Sequence, residues 1–209
     1  MSTALLAALM EPAVDQEDEF NDWYDDEHLP HMCAVPGVLN GARFLAVDGW
    51  PRYLALYDLE SPATLTSDGY RAVTGKGFSP WTRRVLARVR GWQRLAFDQV
   101  HPGAALLHPE CRAIALHHFS TVEAAETAGA AFDGDPGALQ VRVFAPAAQG
   151  PAAVIVESGS IAGLPPLALG ARRLPASVVN ASVWAARLVR YTRTNPMAAF
   201  HDLEASGSP

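Results

Sequence analysis

The 209-residue chain lacks the signatures of the commonest enzyme machineries. It carries no GxGxxG fingerprint, no P-loop, no GxSxG elbow and no HExxH helix, which weighs against nucleotide-dependent chemistry, serine hydrolysis and zinc peptidase activity. Cysteine is scarce: Cys33 and Cys111 lie far apart with no CxxC partner, so they read as free thiols of a reducing compartment and no metal is expected. Lysine is nearly absent, Lys76 standing alone, so the cations are arginines and the net charge is -6. Arg83, Arg84, Arg88, Arg90 and Arg94 cluster, yet no nucleic-acid module accompanies them. They read as a solvated helix face running into a strand, with no nucleic-acid partner. No apolar run approaches the ~20 residues of a membrane span, so no membrane partner is expected. The apolar first ten residues lack a basic start and precede the acidic stretch 11–19. That order reverses a signal peptide's, and the expected location is cytoplasmic.

What is present is apolar: 49% of the residues are hydrophobic and 18% charged, the balance of a globular chain with a filled core. The run 4–11 reads as a buried strand. Asp15 is a candidate N-cap for a helix that should end near Leu29, because Pro30 disfavours helical geometry in the residue before it. Val35 to Gly41 carries turn chemistry, and strands are expected at 42–48 and 52–59. A helical region from Ser61 to about Val89, broken near 75–77, leads to a strand at 91–99. The second half repeats the order: strand 112–119, helix 121–132, strands 139–145 and 152–158, a short helix within 161–173, and strand 179–191. The pattern β-α-β-β-α-β is that of a ferredoxin-like fold. The expected fold class is therefore α+β, with tandem ferredoxin-like halves at 1–102 and 103–195 pairing as a pseudo-dimer, and a frayed tail over 196–209. A single larger mixed sheet is the alternative.

The densest chemistry lies in the stretch Trp23 to Pro30. Four-residue spacing places Phe20, Tyr24 and His28 on one helical stripe. A helix C-terminus and Asp25 would both raise the pKa of His28 toward the neutral range, where an imidazole transfers protons. His28 capping the helix, Tyr24 as a core aromatic and the carboxylates as a solvated face are the structural alternatives. A metal site from Asp25, Glu27, His28 and His31 is disfavoured, since contiguous residues of one helix do not converge. Tyr53 and Tyr57 share one strand face with Ala55. His117 and His118 must point to opposite faces, one exposed and the other hydrogen-bonded. Trp81 either covers a pocket mouth or anchors a helix on the sheet.

The run Glu19 to Pro30, the turn Ala34-Val35-Pro36-Gly37 and the strand Arg52-Tyr53-Leu54-Ala55-Leu56-Tyr57-Asp58-Leu59 together resemble the EthD-like group of the dimeric α/β-barrel superfamily. The resemblance spans roughly the first hundred residues. It implies an apolar pocket between sheet and helices, and cofactor-free proton-transfer chemistry on a carbonyl, lactone or aromatic substrate, as isomerase, lyase/dehydratase or cyclase. It also admits a non-catalytic small-ligand-binding or stress-type protein. Tyr24, Asp25 and His28 carry over as catalytic candidates; Arg43, Tyr53, Tyr57, Trp81 and His118 are candidate pocket residues. The implied partner is a small apolar or aromatic molecule, with homodimerisation as a further expectation. No cofactor is expected; heme occurs in the superfamily, but nothing singles out His28, His117 or His118 as its ligand. The second half has no His-x-Pro, which points to one site per chain, or to one site completed across the pseudo-dimer interface.

Overall fold

A computed structural model describes residues 2–167, 169 and 174–193. The expected tail lies outside them, as do 168 and 170–173 of the stretch 161–173, where Ile161–Gly163 forms a 3-10 turn. The first half runs β1 (Ala4–Glu11), α1 (Glu17–Trp23), α2 (Leu29–Cys33), β2 (Val38–Asp48), β3 (Tyr53–Leu59), α3 (Asp68–Val73), α4 (Pro80–Leu86) and β4 (Arg90–His101). The second runs β5 (Ala113–Phe119), α5 (Val122–Phe132), β6 (Gln140–Pro146), β7 (Ala152–Ser158), α6 (Ala176–Ala181) and β8 (Ser182–Arg190). All eight strands pair antiparallel in one closed barrel, ordered β1-β3-β2-β8-β5-β7-β6-β4. Closure removes the free sheet edges, and it occurs within a single chain.

The period of two sorts the side chains into two layers. Leu5, Ala7, Leu9, Phe44, Leu54, Leu56, Ile114, Leu116, Phe144 and Ile155 fill the barrel interior. Leu6, Met10, Tyr53, Ala55, Tyr57, Val154 and Val156 face outward under the helices. The barrel is therefore a packed core, and a ligand site has to lie between sheet and helices. One end of the interior holds Arg142, donating to Asp58 (2.7 Å) and to Glu157 (2.6 Å), all three buried.

The helix beginning at Glu17 does not stop at Leu29. Tyr24–His28 form a single π-helical turn, the Leu29 amide bonds back to the Tyr24 carbonyl, and α2 continues to Cys33. Proline removes one backbone donor from the α-helical ladder, and the widened turn just before Pro30 absorbs that loss without ending the helix. Asp15 is not the N-cap: it sits in a 3-10 turn and pairs with Arg88 at 2.9 Å. Residues 179–181, expected as strand, are helical in α6. Gly37, at φ +90°, occupies a left-handed turn position that glycine adopts without strain.

Candidate functional site

The π-turn sets which way the aromatic stretch faces. Trp23 and Tyr24 are fully buried on the outer barrel face beside Phe20. The His28 ring stacks on Trp23 (centroids 4.6 Å) and meets Tyr24 edge-on (5.1 Å). Trp23 donates its indole N–H to Thr82 (3.0 Å), and Thr82 and Ser79 both donate to Glu27 (2.9 and 2.5 Å). These bonds fasten the turn to the start of α4. Burial pushes the Glu27 pKa up, but the two hydroxyls bring it below its ordinary value on balance.

His28 lines a cleft of about 50 Å³ whose floor is Leu6, Ala8 and Met10 of β1, and whose walls include Met32, Tyr57 and Tyr70. Burial lowers the His28 pKa to about 4; Glu27 opposes the shift, and His31 and Arg43 reinforce it. The expectation of a neutral-range imidazole held by Asp25 is thus corrected on two counts. The helix continues past His28, so no C-terminal carbonyls face it, and Asp25 accepts from Arg43 (2.5 Å) instead. The ring is neutral at pH 7.

Tyr57 shares the cleft with His28, and its hydroxyl is buried without a hydrogen-bond partner, as is that of Tyr24. The two phenols lie close enough to interact, although neither makes a well-aligned bond to the other. Burial holds the Tyr57 pKa well above its ordinary value, with Tyr24 adding to the shift. At the cleft's other side Arg94 donates from Nε (3.0 Å) and Nη2 (2.8 Å) to the Tyr70 hydroxyl, and half-exposed Trp92 stands at the lip.

The other candidates sit elsewhere. Arg43, buried, lies over the Tyr24 ring (4.5 Å) and the Tyr191 ring (4.2 Å) and also donates to Asn21 (2.6 Å). It holds Tyr24 in place rather than lining the cleft. Tyr53 donates to Glu17 (2.6 Å) and accepts from Asn21 (3.1 Å). Trp81 donates to Glu19 (3.2 Å) and does not reach the cleft mouth, a position taken by Trp92. His118 points into the barrel against Trp184 (4.9 Å), and His117 faces outward against Phe132 (5.2 Å). Both are buried, so neither is the exposed histidine expected of the pair.

Tyr70 and Trp92 escape a reading of the sequence, and Arg94, expected there as part of a solvated arginine face, lines the cleft instead. For Trp92 and Arg94 the signal is the period of two in β4: Arg94 pairs with Ala8 and Ala96 with Leu6, so the even-numbered residues share the face of the cleft floor, whereas Tyr70 comes from α3. The carboxylate stretch is no bare acidic face either. Asp22 and Asp26 bond Arg193, Glu17 bonds Arg52, and Glu19 bonds Arg84. Among the described residues no cluster could hold a metal ion, and no helix is long and apolar enough to cross a membrane.

No family profile and no curated protein sequence matches the chain. Solved structures do. An anthrone oxidase-like protein superposes with a TM-score of 0.62 at 11% identity, covering 91% of this chain and 92% of its own. A chlorite dismutase variant from Candidatus Nitrospira defluvii gives 0.58 at 8%, covering 96% of each chain. A heme-binding protein from Thermus thermophilus gives 0.54 at 7%, covering 95% and 94%. The chain has the dimeric α/β-barrel fold. At these identities the likeness is one of fold, and it extends over nearly the whole chain.

Proposed function

We propose that the chain binds a small apolar or aromatic molecule in the His28–Tyr57 cleft and transfers a proton on it without a cofactor. The convergence of a neutral imidazole and an unpartnered buried phenol on an apolar cleft carries this reading. A neutral imidazole accepts a proton from a carbon next to a carbonyl. The Tyr57 phenol donates a hydrogen bond to the oxygen on which charge then develops, in a site where a buried donor counts for more than in water. Tyr24, pinned by Arg43, sits behind Tyr57 as its support.

The EthD-like resemblance of the Trp23–Pro30 stretch supports the same placement. So does the strand order, in which β4-β1-β3-β2 is echoed by β8-β5-β7-β6. We read this as two ferredoxin-like halves, 1–102 and 103–195, the first of which bears the site. Heme, which one relative is described as binding, does not fit these residues. The cleft beside His28 encloses about 50 Å³, far short of what a macrocycle fills. His117 and His118 are packed among aromatic rings.

The test is to incubate small lactones and hydroxyaromatic ketones with the protein in D₂O and follow deuterium entry next to the carbonyl by NMR. Exchange should be lost by about 10²-fold or more in His28→Gln and clearly reduced in Tyr57→Phe, the range of general acid–base catalysis. Ligands that raise the melting temperature but never exchange would replace this reading with a non-catalytic binding protein. The low His28 pKa favours that second reading, since it makes the imidazole a weak base.

A further inference from the structure

The charges around the cleft are unbalanced in a way that bears on what it takes. Most arginines near the first-half helices are neutralised by a carboxylate: Arg43 by Asp25, Arg52 by Glu11 and Glu17, Arg84 by Glu19, Arg88 by Asp15. Arg94 is different. Among the described residues no carboxylate pairs with it, and its two bonded nitrogens both serve one neutral phenol, Tyr70. A guanidinium has five N–H donors in a planar fork, so donors remain after Tyr70 is satisfied.

We infer that Arg94 and Tyr70 form the anion-binding end of the cleft, and that its ligand is a small aromatic or apolar carboxylate. This rests on the proposed ligand-binding role of the cleft and names the class of molecule it admits. The two polar ends are distinct: His28 and Tyr57 at one, Arg94 and Tyr70 at the other, with the apolar side chains of β1 between them. A ligand spanning them needs an oxygen at one end, a carboxylate at the other and an apolar body. Tyr70 fixes the orientation of the fork. Tyr70 is itself held by its own helix, its amide bonding the Ser67 hydroxyl (3.1 Å) and its carbonyl accepting from Thr74 (2.7 Å). Arg94 stands on a strand bonded to β1 on the barrel, so the cation is carried on a rigid element. Charge-assisted and bidentate bonding to a carboxylate is the strongest recognition such a fork offers.

A matched pair of probes tests it: 3-hydroxybenzoate and its uncharged isostere 3-hydroxybenzamide, titrated by ligand-observed NMR against the full chain at pH 7. The acid should bind about tenfold or more tightly than the amide, a gap of about 1.4 kcal/mol. Arg94→Gln should abolish the preference, Arg94→Lys should keep part of it, and Tyr57→Phe should weaken both probes while preserving it. Melting curves confirm that each variant is folded. Equal binding of acid and amide, or a preference that survives Arg94→Gln, overturns the anion assignment and leaves the cleft reading standing. Binding of neither probe overturns both.

Discussion

The phenol of Tyr57 separates a structural residue from a functional one. A buried hydroxyl with no partner carries a desolvation cost of about 1–3 kcal/mol, and Tyr57 bears it inside a cleft. Tyr57→Phe should therefore leave the unfolding free energy unchanged or raise it by up to about 1 kcal/mol, while weakening ligand binding; a clear loss in urea denaturation would assign the hydroxyl a structural bond. The histidines make a pH prediction. Burial lowers both His28 and His118 to about 4, below the ordinary ~6.5 of the unfolded chain. The unfolded state then binds more protons between those values, so their contribution is intact above pH 6.5 and is lost as pH falls toward 4. The loss should be of the order of 2 kcal/mol for each, the partial exposure of His28 tempering its share. Melting temperatures at pH 7 and pH 4.5 should diverge less in His28→Gln than in the native chain. An equal divergence in both would contradict the burial argument.

At the scale of elements, the sequence is most informative where a strand is buried on both faces. Residues 4–11 and 152–158 are strands over those same bounds, because continuous apolar runs leave little freedom of interpretation. The continuation of the helix through Pro30 is not legible, since a π-turn adjusts backbone bonding without leaving a mark on the spacing of side chains. The site is half legible for the same reason. His28 and Tyr57 stand out as types on faces, whereas the roles of Asp25 and Arg94 depend on which element folds over them. Packing between elements yields two further predictions. Gly129 of α5 lies against β6, where an added methyl would come within 2.4 Å of Val143 Cγ2. Helix propensity favours alanine there by about 1 kcal/mol, but a stiff buried valine must move, at about 1–3 kcal/mol. Gly129→Ala should thus be destabilising on balance, by about 1 kcal/mol in chemical denaturation. Arg142 joins β6 to β3 and β7, and the carboxylates it holds also accept from the amides of Leu107 and His108. Arg142→Met strands two buried carboxylates and should cost about 3–5 kcal/mol. A loss below about 1 kcal/mol would show that the cluster relaxes or protonates freely.

For the whole molecule, the decisive feature is closure of the barrel by two seams, β2 with β8 and β4 with β6. Each seam joins strands from opposite halves, so each half alone would expose two strand edges and one wall of the inner core. Phe44 and Phe97 from the first half, for instance, pack in the same inner cluster as Leu188 and Phe144 from the second. Small sheets with one bare apolar face and open edges associate rather than stay monomeric. Among the described residues, those lining the cleft are numbered 6 to 94, and its floor is β1, bonded between β3 and β4. If the two-half reading is correct, residues 1–102 produced alone should not form a stable monomer. They should dimerise through the vacated seams or aggregate, and co-expression with residues 103–209 should restore a single 1:1 species. A dimer of the first half should regain the His28–Tyr57 cleft in both copies, because a second β4-β1-β3-β2 unit presents the same edges that the native partner does. Size-exclusion chromatography with light scattering distinguishes these outcomes. A monomeric, cooperatively folding 1–102 would show that the seams contribute little, and would recast the second half as an appendage rather than the other wall of the barrel.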